Sequence, residues 1–294
     1  MKKYFFFLLI TIAAVACRQS HKQADAYGNF EAREVIVSAQ GNGQIIWLNI
    51  EEGARLKVGE VVGLIDTSTL YFKKQQLAAQ YSATQAQFSV LQAQSAVQQQ
   101  QIDNLNKDLV RISNMMKDGA ATQKQLDDVQ GTIDMAKKQI IAIESQRTSL
   151  HSQLQAITAQ VAELDNTISK SVITNPQDGV VLVKYAERGE ITVAGKPLFK
   201  IGDTDNMKLK AYISESQLSS VQLGQQVQVS FDLDNGAVKS TEGEVIWVSD
   251  KAEFTPKIIQ TREERVNLVY AFKILVKNDG SIKIGMPGEV KFTQ

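Results

Sequence analysis

Few side chains in this chain are equipped for chemistry. One cysteine, Cys17, and two histidines, His21 and His151, are its entire stock of sulfur and imidazole ligands, so a disulfide and a metal cluster are both excluded. Nothing in the sequence pairs a nucleophile with a base, cradles a phosphate in a glycine loop or sets two carboxylates in a pocket. The expectation is a protein that is not an enzyme, with no catalytic residue, no metal and no cofactor. Cys17 is the exception, because its position suggests a modification. Lys2 and Lys3 precede an apolar run from Tyr4 to Ile12 and then Ala13-Ala14-Val15-Ala16-Cys17, which has the charge, length and cleavage-site chemistry of a signal peptide. The run is too short to stay in a bilayer as a spanning anchor. Two processing outcomes fit it: ordinary cleavage after Ala14-Val15-Ala16, or cleavage before a Cys17 that becomes lipidated. A lone cysteine at that junction favours lipidation, although Ala14 stands where lipoprotein boxes usually carry leucine. Both outcomes export the protein.

The formal net charge is zero and the two signs are interspersed, so no nucleic-acid footprint is present. Residues 17–30 are polar and aperiodic and read as a tether between a lipidated Cys17 and the first strand.

The stretch from Leu70 to Ile168 must organise whatever else the chain does. Leu77, Tyr81, Thr84, Phe88, Leu91, Ser95, Gln98, Ile102, Leu105, Leu109, Ile112 and Met116 recur at alternating steps of four and three residues, which is a coiled-coil seam. Leu126, Val129, Ile133, Ala136, Ile140, Ile143, Arg147, Leu150, Leu154, Ile157, Val161, Leu164 and Ile168 repeat the pattern. Only Lys117-Asp118-Gly119-Ala120-Ala121 lies between, so the two helices must be antiparallel neighbours. Facing Ile112 with Leu126 pairs Leu105 with Ile133 and Phe88 with Leu150, and it centres the fold-back on Gly119, where a helix C-cap favours glycine. Thr122 and Gln125 form a capping-box pattern for the second arm. The polar seam residues Ser95, Gln98 and Arg147 read as register control.

On either side of the arms sit two β-rich copies. Gly43-Gln44-Ile45-Ile46-Trp47 through Glu51-Glu52-Gly53 aligns with Gly179-Val180-Val181-Leu182-Val183 through Glu187-Arg188-Gly189, and the match continues through Gly59 and Gly195 to Ile65 and Ile201. Each copy is too small to bury its own apolar face, so the two should pack together, bringing residues 36 and 203 close in space. After Asp203-Thr204-Asp205 the pattern changes to alternating strands around Leu209, Ala211 and Ile213, around Val227, Val229 and Phe231, and around Phe272, Ile274 and Val276. Turn signals fall at Asp234-Asn235-Gly236, Asn278-Asp279-Gly280 and Met286-Pro287-Gly288. Short strands of this kind suit a small β-barrel.

Two glycine-punctuated half-motifs of biotinyl/lipoyl type, split by an α-hairpin, resemble the periplasmic adaptor (membrane fusion) family typified by hemolysin secretion protein D. The resemblance covers nearly all the chain from about Glu31 onward and implies an elongated α+β fold. A long antiparallel coiled-coil hairpin is inserted between two halves of a lipoyl-like β-domain, and a small β-barrel follows. The expected division is a signal peptide at 1–16, a lipidated tether at 17–30, a lipoyl-like half at 31–66, the hairpin at 67–171 with its tip at 117–121, the second half at 172–204 and the barrel at 205–294. In lipoyl carrier domains the modified lysine sits in the turn joining the halves; here the hairpin occupies that junction, so a carrier reading loses its one reactive residue and would need a mass shift on a lysine to stand.

The function implied by the resemblance is that of an adaptor in a tripartite efflux or secretion system, linking an inner-membrane exporter to a TolC-like outer-membrane channel. The stretch from Phe254 to Arg265 resembles a signature of adaptors serving ABC-type exporters. The chain stops at Gln294, soon after the barrel strands, which leaves little room for the extra sheet of adaptors that serve proton-driven pumps. At the tip, Arg111, Met115 and Thr122 match positions where the family places arginine, leucine and serine against the channel; methionine keeps the apolar bulk and threonine the hydroxyl. Gly119 is a cap first and a docking element second. The loop holding Glu190 projects into the central channel in related adaptors, making Glu190 a possible channel-lining residue. Between Gln75 and Gln101 the first arm is rich in Gln and Ala and suits lateral packing in a ring of copies. The lipid anchor is expected in the inner rather than the outer membrane. The alternatives are an envelope scaffold or regulatory binding protein without a conduit, and an adaptor of a proton-driven pump.

Overall fold

The structure, a computed structural model, describes residues 24–233, 236–254 and 268–292. The leader, Cys17, His21 and nearly all of the stretch from Phe254 to Arg265 lie outside these residues.

The first strand, β1, spans Ala26–Ser38. It begins inside the segment expected to be tether: residues 26–30 are sheet because Ala26 and Phe30 are buried in a core they share with Leu209, Val229 and Val290. Next come β2 (Gly43–Leu48), β3 (Arg55–Leu56) and β4 (Val61–Ile65), then helix α1 (Ser68–Lys117) and helix α2 (Gln123–Ser169). The chain continues with β5 (Val172–Thr174), β6 (Gly179–Lys184), β7 (Ile191–Thr192) and β8 (Pro197–Ser214). After a 3₁₀ turn at Glu215–Ser220 follow β9 (Gln226–Asp232), β10 (Val238–Phe254), β11 (Leu268–Lys277) and β12 (Pro287–Phe292).

The two copies flanking the helices interlock by reciprocal hydrogen bonds. Gly53 N–H donates to Val181 O at 2.8 Å, and its counterpart Gly189 N–H donates to Ile45 O at 2.8 Å; Val181 N–H reaches Ala54 O and Ile45 N–H reaches Glu190 O, both at 2.9 Å. Each half therefore supplies the ladder partners that the other lacks. Their shared core holds Ile45, Leu48, Ile65, Val181, Leu198, Phe199 and Ile201. The hairpin leaves from β4 and returns to β5, strands that pair with each other, so both arms are rooted in one sheet.

The remaining strands close as β1-β12-β9-β10-β11-β8 with β8 hydrogen-bonded back to β1. Leu209, Ala211, Ile213, Val227, Val229, Phe272, Ile274 and Val276 fill the barrel, as the alternation requires. The expected boundary at 204/205 is not a break in the chain's strands. Strand β8 runs unbroken across it, and β1 pairs with β8 from Tyr27↔Tyr212 to Ser38↔Pro197, so one ribbon passes through both the barrel and the split domain. Gly28 allows this pairing: a Cβ there would sit 2.0 Å from Lys210 O. Met286-Pro287-Gly288 is also not the turn expected. Gly285 makes the turn at φ +83°, and Pro287 already opens β12.

Candidate functional site: the hairpin and its tip

Helix α1 has 50 residues and α2 has 47. At 1.5 Å per residue the longer arm reaches about 75 Å. Arm pairing follows the heptads: Ile102, Ile133 and Ala136 are buried together with Leu105, Leu109, Val129 and Ile140 against them.

The tip is closed by two complementary caps. Gly119, at φ +70°, ends α1 by donating to Met116 O, while Ala120 N–H donates to Met115 O, the double bond of a Schellman motif. Thr122 starts α2: Gln125 N–H donates to Thr122 Oγ1 at 3.4 Å and Thr122 N–H donates to Gln125 Oε1 at 2.8 Å. Thr122 is therefore held by helix initiation, and its hydroxyl is already engaged. Arg111 and Met115 lie one turn apart on α1, both exposed, with Thr122 just across the turn. The guanidinium of Arg111 pairs with Asp108 on its own helix. Asp108 is a residue that sequence reading passed over, although an acid three positions before an arginine on a helix is the usual signal for such a pair. It holds the Arg111 fork in place and competes with any external carboxylate for it.

Glu190 follows the turn made by Gly189. Its carboxylate accepts from Lys196 Nζ at 3.1 Å while its carbonyl accepts from Ile45 N–H, so its backbone is pinned and its side chain remains in solvent. Beside it, Ile191 and Val193 are exposed apolar residues.

Along the arms, Ser95 Oγ donates to Glu144 at 3.2 Å, Arg147 binds Glu144 at 2.6 Å, and the Arg147 guanidinium lies 5.0 Å from the Phe88 ring centre. Sequence reading found Ser95 and Arg147 but missed Glu144, which lies beside the seam rather than in it. An open groove of about 450 Å³ on this part of the hairpin is lined by Gln87, Val90, Leu91, Gln146, Ser149 and Leu150. Among the described residues no group of His, Cys, Asp and Glu is placed to hold a metal ion, and no helix is long and apolar enough to cross a membrane.

A split lipoyl-like domain that clamps a long hairpin and shares a ribbon with a small barrel is a fold this chain shares with a solved membrane fusion protein and with MacA. No family model matches the chain. The UPF0194 membrane protein YE2891 of Yersinia enterocolitica is 27% identical over 320 aligned residues, covering 98% of this chain and 96% of its own length. Among solved structures, MacA from Actinobacillus actinomycetemcomitans superposes with a TM-score of 0.56 at 21% identity, covering 90% of this chain and 76% of MacA. The membrane fusion protein Spr0693 from Streptococcus pneumoniae gives 0.51 at 15% identity, covering 91% of this chain and 98% of that one.

Proposed function

We propose that this protein is a non-enzymatic periplasmic adaptor that joins an inner-membrane ABC-type exporter to a TolC-like outer-membrane channel. The observation that carries this reading is the pair of helices, 50 and 47 residues long, rooted in one split domain and closed by a capped glycine turn at the far end. Such a hairpin has almost no interior of its own and is built to reach, and its tip is where a second protein would be met. Arg111 and Met115 offer that partner a charged fork and an adaptable apolar side chain on adjacent turns. The ABC-type assignment rests on the resemblance of the stretch from Phe254 to Arg265, outside the described residues. Anchoring through a lipidated Cys17 in the inner membrane rests on the leader sequence. The groove flanked by Gln87 and Val90, on an arm without charged residues between Gln75 and Gln101, supports a ring of copies packed side by side.

Copurification from solubilised membranes tests this reading, with the bound proteins identified for the parent chain and for Arg111→Asp. The parent should bring down both an ABC exporter and a channel. Arg111→Asp, which places two carboxylates one turn apart at the tip, should lose the channel and keep the exporter and the fold. Recovery of a proton-driven pump, or of no transporter, would replace the reading with one of its alternatives.

A further inference from the structure

The hairpin does not have one continuous core. Near its base Leu77, Ile157 and Leu164 are buried together, with Leu70 and Val161 against them. Toward the tip lies the separate cluster of Ile102, Ile133 and Ala136. Between the two, the seam still carries Phe88, Leu91, Ile143, Leu150 and Leu154, but Thr84, Ser95, Gln98 and Arg147 interrupt it with polar groups. Thr84 is buried, and its hydroxyl donates to Gln80 O of its own helix at 3.0 Å, so it makes no bond across the seam. Arg147 occupies a seam position. Its terminal nitrogen is held by Glu144 at 2.6 Å and 2.8 Å, while its Nε is buried without a hydrogen-bond partner. Ser95, opposite Ile143 in the heptad register, donates to the same carboxylate from α1. The groove of about 450 Å³ opens beside these residues.

Hydroxyls that bond back to their own helix recur along both arms, at Ser82, Thr132, Thr158 and Thr167 among others, and are densest in the same place. The hydroxyls of Ser89, Ser145, Thr148 and Ser152 all donate to carbonyls one turn earlier in their own helices, a bond that competes with the helical ladder and bends it. An unpartnered buried donor and a charge at a seam position each reduce local cohesion, and the open groove beside them leaves Leu91 and Leu150 only half covered. Here they coincide within a few turns, bounded by buried Ile143 and Leu154.

We infer that residues 84–98 of α1 and 144–153 of α2 form a joint, at which the hairpin bends and its arms partly separate while the base and distal clusters stay packed. The Glu144–Arg147 pair, braced by Ser95 and Phe88, is the catch that holds the joint straight. The tip can then shift sideways without loosening its root. This inference concerns the hairpin alone and does not depend on which protein meets the tip.

Hydrogen exchange of the full chain, resolved by peptide, tests it. Amides of the joint should exchange about tenfold faster than those of residues 102–109 and 129–140. Arg147→Leu, which restores an apolar seam, should slow the joint to the rate of the distal cluster. Glu144→Gln, which leaves Arg147 without its counter-charge, should speed the joint further while both clusters keep their protection. Even exchange along the parent hairpin overturns the inference, as does a joint unchanged by Arg147→Leu. If that variant does not fold, unchanged exchange in Glu144→Gln overturns it as well.

Discussion

At the tip, single residues carry two demands at once. Gly119 must be left-handed for the Schellman bonds to form, and nothing lies within 4 Å of where its Cβ would sit, so any penalty for a side chain there is conformational rather than steric. Gly119→Ala should therefore cost about 1 kcal/mol of hairpin stability in chemical denaturation followed by helical circular dichroism, and Gly119→Asn less, because asparagine tolerates this region. A much larger loss would point to a contact that the free chain does not make. Both caps were legible from the sequence, since a glycine at the fold-back centre and a Thr-x-x-Gln box act within one turn of chain. The Glu144–Arg147–Ser95 cluster was legible only in part. Two of its members break the heptad and stand out, but Glu144 looks like an ordinary flanking acid until the arms are placed side by side.

Among the elements, the long strands β1 and β8 decide the architecture. Their shared ribbon is pinned where it leaves the barrel: Arg55 on β3 donates to Asp205 on β8 at 2.5 Å, and Asn278 donates to Thr204 O at 2.8 Å. Hydrogen bonding to Arg55 holds the Asp205 carboxyl below its ordinary value of 3.8. A carboxyl whose folded pKa is depressed stabilises the folded state fully above the unfolded value of about 4, and that contribution disappears as the pH falls through the folded value. Asp205→Asn should accordingly melt below the parent at neutral pH and converge with it in strong acid. The gap should shrink with added salt, because the pair is exposed. A gap independent of pH would mean that Asp205 acts through its place in β8 rather than its charge.

For the whole molecule, reach and lateral packing are separate properties of the same hairpin. Length follows from helix rise alone, whereas assembly depends on what the flanks present. A cysteine at Gln87, on the rim of the groove, tests the ring directly, since Cys17 is the chain's only native cysteine and the parent serves as control. Crosslinking within the assembled complex should join Gln87→Cys copies to one another, and monomer-only products would remove the ring. The hairpin, the paired copies and the alternating barrel strands were all legible from the sequence, because each is written as a short repeat: a heptad, a glycine-spaced duplication, a period of two.

What the sequence determined by itself is therefore what short-range periodicity and local caps can encode, namely two antiparallel arms, their register and the glycine on which they turn. The tertiary structure alone decided where β1 goes. Residues 26–30 look like tether because they continue a polar, aperiodic run, yet they become a barrel strand once β12 and β8 offer edges on both sides. Such pairing joins segments more than 150 residues apart. The free energy that orders them comes from filling the barrel core with Ala26 and Phe30, a vacancy that exists only when the other strands have folded.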